Sequence, residues 1–270
     1  MFFPYTRNPD SSTKKNKVIS FFDDLSNVDD RTVTSFGDEW NKFDRFSDHE
    51  ILTTAKEYFD ILPESINADS KVLDVGCGTG RWTKYLSARI NCIDAIDPSA
   101  AIFAADRLLE SRPNVRLTRC SVDNLPVPDN AYDLVMSIGV LHHVPDTRKA
   151  LACCVAKAKK GGYVYVYLYY NLDNRGVVFK VAFFVSNVLR RLVSRLPKTS
   201  KHLVCDFLAL LLYLPFISLA RLFRFFGLIQ LSEFLPLSSY QNKTWFVIRA
   251  NALDPFGTPY RTTFFKKRSN

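Results

Sequence analysis

Five residues, Gly76-Cys77-Gly78-Thr79-Gly80, constrain this chain more than any other stretch. They follow the apolar run Val72-Leu73-Asp74-Val75 and precede a helix-like segment from Arg81 to Ala88. A second apolar run, Cys92 to Ile96, ends in Asp97, which stands 21 residues past Gly76. Glycines let the backbone turn sharply and approach a ligand with no Cβ in the way. An acid at the tip of the next strand can accept hydrogen bonds from both hydroxyls of a ribose. Together they describe a nucleoside-bearing ligand held across the edge of a parallel sheet. A dinucleotide fingerprint, G-x-G-x-x-G, would need glycine where Arg81 stands. The spacing is G-x-G-x-G instead.

From Lys71 to Tyr170 apolar runs and helix-like segments alternate with short connections, which predicts a doubly wound, mostly parallel α/β sheet. Strands are expected at 71–75, 91–96, 115–119, 133–138 and 162–169, with helices near 80–88, 99–110 and 147–158. Upstream, residues 7–17 are polar and read as disordered. Val33 to Ile51 reads as a helix with Phe36, Trp40 and Phe43 on one face. That stripe suits packing on the core, or a cap over the ligand.

Further motifs follow in order. Cys120-Ser121-Val122-Asp123-Asn124-Leu125-Pro126 comes after the third strand, Ala131 to Ser137 matches the fourth, and Ile138-Gly139-Val140-Leu141-His142-His143-Val144 ends it. With the glycine turn and Lys160-Gly161-Gly162, these resemble the class I S-adenosylmethionine-dependent methyltransferases, in the type 11-like branch acting on small molecules and lipid-like acceptors. The resemblance implies S-adenosylmethionine as cofactor. It assigns contacts with it to Asp74, Gly76, Cys77, Gly78, Gly80, Asp97, Pro98, Ser121, Val122 and Ile138. Among these, Asp74 would face the amino end of the methionine moiety, Asp97 the ribose and Ser121 the adenine, where the family often has Asp. His143, then His142, are the candidate bases, since imidazole titrates near neutrality. A histidine after a strand also serves as a packed, hydrogen-bonded residue. Phe36 to Trp40, Leu235 to Tyr240 and Asp254 to Pro259 resemble a bacterial branch of the same family.

Charge divides the chain. Residues 1–174 hold 21 Lys/Arg against 24 Asp/Glu, whereas residues 175–270 hold 15 against 3, so the overall +9 comes from the C-terminal third. Such asymmetry points to a polyanionic neighbour. Residues 176–236 set these cations among Leu, Phe and Val: Val177 to Leu196 reads as a helix, and Phe207 to Ala220 is a charge-free run broken by Pro215. The readings are a packed helical lid, a lid lying on an anionic membrane surface, or a membrane-spanning hairpin. Cations embedded in greasy helices fit lipid better than nucleic acid. The six cysteines and four histidines show no metal-ligand spacing. Scattered thiols and the lack of a leader-like apolar N-terminus suggest a cytoplasmic, membrane-associated location.

The expected organisation is therefore 1–20 disordered, 21–66 a helical cap, 67–170 the binding core, 171–242 a hydrophobic basic helical lid, and 243–270 a sheet-closing strand with a basic tail. Unless residues 243–250 supply that strand, the fifth strand is expected to be an open edge, either completed by an oligomer or partner or left open in a truncated, weakened member of the family it resembles. The expected activity is methyl transfer to a hydrophobic or lipid-linked acceptor. The alternatives are a non-catalytic cofactor-binding or membrane-attached interaction protein, and an RNA methyltransferase.

Overall fold

The computed structural model describes residues 1–12, 17–21, 27–42, 46–168, 188–235 and 237–249. It divides into two compact units, one of residues 1–171 with 260–270 and one of residues 172–259. Phe43, residues 177–187, the Asp254 to Pro259 motif and the basic tail lie outside the described residues.

The first unit is built on a sheet of seven described strands: β1 (Ser11–Ser12), β2 (Val18–Ser20), β3 (Lys71–Val75), β4 (Cys92–Ile96), β5 (Val115–Arg119), β6 (Tyr132–Ile138) and β7 (Ala158–Tyr167). Their order is β1-β2-β5-β4-β3-β6-β7, and only β1 runs antiparallel to its neighbour. Helices α1 (Asp30–Lys42), α2 (Asp48–Phe59), α3 (Arg81–Leu86), α4 (Ile102–Leu108) and α5 (Thr147–Lys157) accompany it. This is a doubly wound α/β fold.

In the centre of the sheet, at β3, β4 and β6, both faces are buried, which is why those strands read as nearly unbroken apolar runs. On one face Val72, Ile93, Leu117 and Leu134 pack with Phe59 of α2, Trp82 and Leu86 of α3, and Ile102 and Ala105 of α4. On the other, Leu73, Val75, Ile96 and Val135 pack with Ala150 and Cys154 of α5. The period-2 alternation of Val72 and Leu73 feeds the two cores separately.

The N-terminus corrects an expectation. Residues 1–20, read as disordered, supply β2, which pairs in parallel with β5 from Val18↔Leu117 to Ser20↔Arg119. Phe3 packs edge-on to Tyr132 at 5.5 Å, and Tyr5 meets Phe21 at 5.0 Å. The Tyr5 hydroxyl lies 2.7 Å from Thr118 Oγ1, and Arg116 donates to the Phe3 carbonyl at 2.7 Å. Beneath them Arg116 Nε donates to the fully buried Asp94 at 2.5 Å, and Tyr132 donates to its other oxygen at 2.8 Å. Burial raises the Asp94 carboxyl, opposed by Arg116. An average over the polar residues 7–17 hides the aromatics before them and the Val-Ile pair after them.

Three further expectations change. The single helix over 33–51 is two: α1 ends at Lys42, and α2 starts from a capping box in which Ser47 and Glu50 exchange hydrogen bonds. The fifth strand begins at Ala158, not 162, and carries a bulge: Tyr132 pairs with Ala158 but Leu134 with Tyr163. Glycine is required there, because Gly161 has φ +79° and a Cβ on Gly162 would lie 2.9 Å from the Tyr132 carbonyl. Residues 243–249 form no strand. Thr244 starts a helix over 245–249 instead, its carbonyl taking the Ile248 N–H at 3.0 Å, so β7 is an edge strand among the described residues.

The second unit is helical where described: α6 (188–193), α7 (Lys198–Leu208), a π-turn (Ala209–Tyr213), α8 (Leu214–Phe225), α9 (Ile229–Phe234) and α10 (245–249). Pro215 does not end the helix. Proline lacks an N–H and crowds the carbonyl four residues back, and the wider π-turn just before it relieves that misfit. Helical structure thus runs 27 residues from Thr199 to Phe225. Arg249 pairs with Asp206 at 2.5 Å, and Ser232 of α9 donates to the Ala220 carbonyl at 2.9 Å.

Candidate active site

The carboxyl ends of β3, β4, β5 and β6 bring the motif residues together. Strand order reverses between β3 and β6, the kind of switch point that opens a crevice for ligands. After β3 the chain turns through Gly76, Gly78 and Gly80 at φ +82°, +55° and +78°. The Gly76 and Cys77 N–H groups both donate to the Ile96 carbonyl, at 2.7 and 2.9 Å, tying the turn to the end of β4.

The glycines have different reasons to be there. A Cβ on Gly76 would sit 2.4 Å from Val140, and one on Gly80 would sit 2.7 Å from Leu109, so packing alone demands both. At Gly78 the nearest atom would be Trp40 Nε1 at 3.7 Å. Nothing in the protein crowds that position, which leaves a cradle that a side chain would fill. Gly78 N–H donates 2.9 Å to Asp97 Oδ2. Asp97 Oδ1 accepts from the Ser99 N–H at 2.8 Å and the Ser99 hydroxyl at 2.6 Å. A carboxylate offers about four acceptor sites, so one remains on Oδ2, and a second becomes available if Ser99 rotates. This set fits a ribose diol beside a side-chain-free turn.

Asp74 is buried and accepts from Thr83 Oγ1 at 2.6 Å. Burial pushes its carboxyl up to about 7, the Thr83 bond works against this, and the Asp97 charge adds to it. Burial also raises Asp97, offset by Ser99, Gly78 and Arg119. Burial and these two acids drive the Cys77 thiol well up, so Cys77 stays a neutral thiol.

Arg119, at the end of β5, donates to the Pro98 carbonyl at 3.0 Å and so fixes the turn after Asp97. Ser121, nearly inaccessible, precedes a 3-10 turn over Val122–Asn124. Asp123 of that turn is engaged elsewhere, with Lys149 at 2.7 Å and Asn27 at 3.0 Å. At the end of β6, Ile138 leads into a second 3-10 turn, Leu141–His143. His142 and His143 are both buried, their rings 4.0 Å apart.

Helix α1 touches several of these loops. Phe36 packs edge-on to His143 at 4.8 Å, a Cβ on Gly37 would lie 3.3 Å from Ala100 beyond Asp97, and Trp40 borders Gly78. The Arg81 guanidinium stands over the rings of Trp40 at 5.2 Å, Phe46 at 5.1 Å and Trp82 at 4.5 Å. Thr83 and Arg119 were not singled out from sequence. Each acts through a partner distant in the chain or from inside an ordinary-looking helix or strand, with no local signature.

The chain is similar to known methyltransferases. The family model described as "Methyltransferase domain" matches residues 73–166. The chain is 30% identical over 184 residues to the ubiquinone biosynthesis O-methyltransferase of Pseudomonas savastanoi pv. phaseolicola, covering 62% of this chain and 75% of that one. It is 32% identical over 153 residues to the enzyme of the same name from Pseudomonas fluorescens, covering 52% of this chain and spanning 63% of that protein's length. A SAM-dependent methyltransferase structure from Aquifex aeolicus is 23% identical with TM-score 0.42, over 52% of this chain and 77% of that chain. The family to which such relatives belong uses S-adenosylmethionine as methyl donor. On the strength of the 75% coverage and the sheet that carries the matched residues, the chain belongs to the class I S-adenosylmethionine-dependent methyltransferases.

Proposed function

We propose that the chain transfers a methyl group from S-adenosylmethionine to a hydroxyl on a hydrophobic, lipid-like small molecule. The observation that carries the cofactor half is the Gly78–Asp97 junction, where a turn with an open Cβ position is hydrogen-bonded to the acid of the neighbouring strand. The acceptor half draws on relatives named for O-methylation in ubiquinone biosynthesis.

When bound, the cofactor supplies a sulfonium-activated methyl group. The protein's contribution is then mainly alignment and exclusion of water, and alignment alone can be worth about 7–11 kcal/mol. We assign the cofactor's ammonium to Asp74, its ribose to Asp97, its adenine edge to Ser121 and Val122, and the walls of its pocket to Cys77, Pro98 and Ile138. Gly76, Gly78 and Gly80 give their backbone to the same ligand. Trp40 and Phe36 exclude water from the turn and from His143. The base role falls to His143, which takes the hydroxyl proton, with the His142 ring tilted against it 4.0 Å away.

Calorimetric titration with S-adenosylmethionine tests the first half, and absence of heat at millimolar cofactor would overturn it. Transfer of labelled methyl groups into a quinone and lipid extract tests the second. Label that appears only in RNA or protein would replace the proposed acceptor.

A further inference from the structure

The second unit presents apolar side chains to solvent. Along Thr199–Phe225, whose most apolar window has mean hydropathy 2.2, one stripe is buried: Cys205, Leu208, Ala209, Tyr213, Ile217 and Ala220. A helix with one such stripe ordinarily turns charge to water on its other face. Here no charged residue occurs between Asp206 and Arg221, and the outward face carries Phe207, Leu211, Leu214, Leu219 and Leu222. The turn into α9 continues the pattern. Phe225 is 82% exposed, Phe226 65% and Ile229 52%, around Gly227 at φ +76°. An apolar surface this continuous marks a contact site.

Charge identifies the occupant. Arg221, whose Nε donates to the Gln241 carbonyl at 2.8 Å, and Arg224 are exposed near the C-terminal end of α8, and Arg191 and Arg195 are exposed on and just after α6. The acids of the described residues in this unit are Asp206, which is paired with Arg249, and Glu233. A second copy would bring arginines against arginines, whereas an anionic bilayer supplies acyl chains for the leucines and phosphates for the arginines. The buried stripe also decides orientation. It is covered in part by α9, which carries Gln230 and Glu233 exposed and would be dragged into hydrocarbon if the helix crossed the membrane.

We propose that residues 203–234 lie in the interfacial layer of an anionic bilayer, the Leu/Phe face and the Phe225–Ile229 turn toward the acyl chains, with Arg221 and Arg224 at the headgroup phosphates. This does not depend on the methyltransferase reading.

Flotation of the full chain with phosphatidylcholine vesicles, with and without about 30% phosphatidylglycerol, tests it. The chain should float with the anionic vesicles. R221Q/R224Q should partition roughly tenfold to thirtyfold more weakly, from about 1 kcal/mol per basic residue near the surface. F225S/F226S changes only exposed rings, so it should keep its circular dichroism and its cofactor affinity while losing at least about tenfold in partition. A wild-type chain left in the dense fraction, or both variants floating like wild type, would overturn the proposal. So would a dimer in light scattering that F225S/F226S converts to monomer, because the face would then belong to a second copy. Flotation without cofactor binding would remove the methyltransferase reading and leave this one standing.

Discussion

With Asp74 as the proposed ligand of the cofactor's ammonium, stability and ligand binding pull in opposite directions there. Its carboxyl, raised by burial to about 7 from an ordinary 3.8, keeps a proton in the folded chain over a range where the unfolded chain has lost it. The sign follows: the stability from burying the neutral acid is full below about pH 3.8 and is lost as pH rises toward about 7. Asp74→Asn should therefore be at least as stable as wild type at neutral pH, with the difference growing across that window in urea titrations. An ammonium ligand instead needs the ionised acid, so S-adenosylmethionine should bind wild type more weakly at about pH 6 than at about pH 7.5, and Asp74→Asn weakly and evenly at both. The glycines offer a second contrast. Gly76→Ala drives a methyl into Val140, whereas Gly78→Ala meets open space at a cost of about 1–2 kcal/mol for its left-handed backbone. Gly78→Ala should fold and lose cofactor affinity in calorimetry. Gly76→Ala should lose stability first. His143→Ala should lower turnover by roughly 10²–10⁴ with an unchanged cofactor Kd if His143 is the base.

Among the elements, the N-terminal segment has the least expected role. Phe3 and Tyr5 pack on Tyr132 and Phe21 above the buried Asp94–Arg116 pair, so Phe3→Ala should cost about 2 kcal/mol in urea unfolding, below the full core value because the ring is only partly buried. A disordered tail would cost nothing. This element also shows what sequence can carry. β3 to β6 were legible because fully buried parallel strands print themselves as apolar runs, and the glycine turn and Asp97 sit within a few residues of those runs. Val18–Ser20 is three residues long, too short for any periodicity, and its partner β5 lies about a hundred residues away. The helix break before Ser47 was written in the Ser47–Glu50 capping box, outvoted by the aromatic stripe of α1. Lys243 to Ala250 has strand-forming residues, yet Val247 and Ile248 are both buried as neighbours on a short helix. There tertiary packing outweighs propensity. Within the site, Asp74 and Asp97 could be named in advance, but Thr83 and Arg119 could not, since their roles exist only through the partners the fold delivers.

Over the whole molecule, 15 Lys/Arg against 3 Asp/Glu after residue 174, with a near-balanced remainder, imply two distinct responses to salt. Raising ionic strength from about 0.1 M to about 1 M shortens the screening length from about 10 Å to about 3 Å. Arginine–phosphate attraction at a bilayer surface fades over that range, while burial of phenylalanine and leucine does not depend on charge. Wild type should therefore stay partly on anionic vesicles at high salt, held by the Phe225–Ile229 turn and the face of α7 and α8. F225S/F226S, which keeps the charge and only the leucine-rich part of the face, should come off at lower salt than wild type. Asp74, proposed to hold the cofactor's ammonium, is buried and would be screened far less, so cofactor affinity should change little across the series. Flotation and calorimetry on the same samples separate the outcomes. Release of both proteins at the same salt would mean that charge alone holds the chain, and that the exposed phenylalanines face something other than lipid.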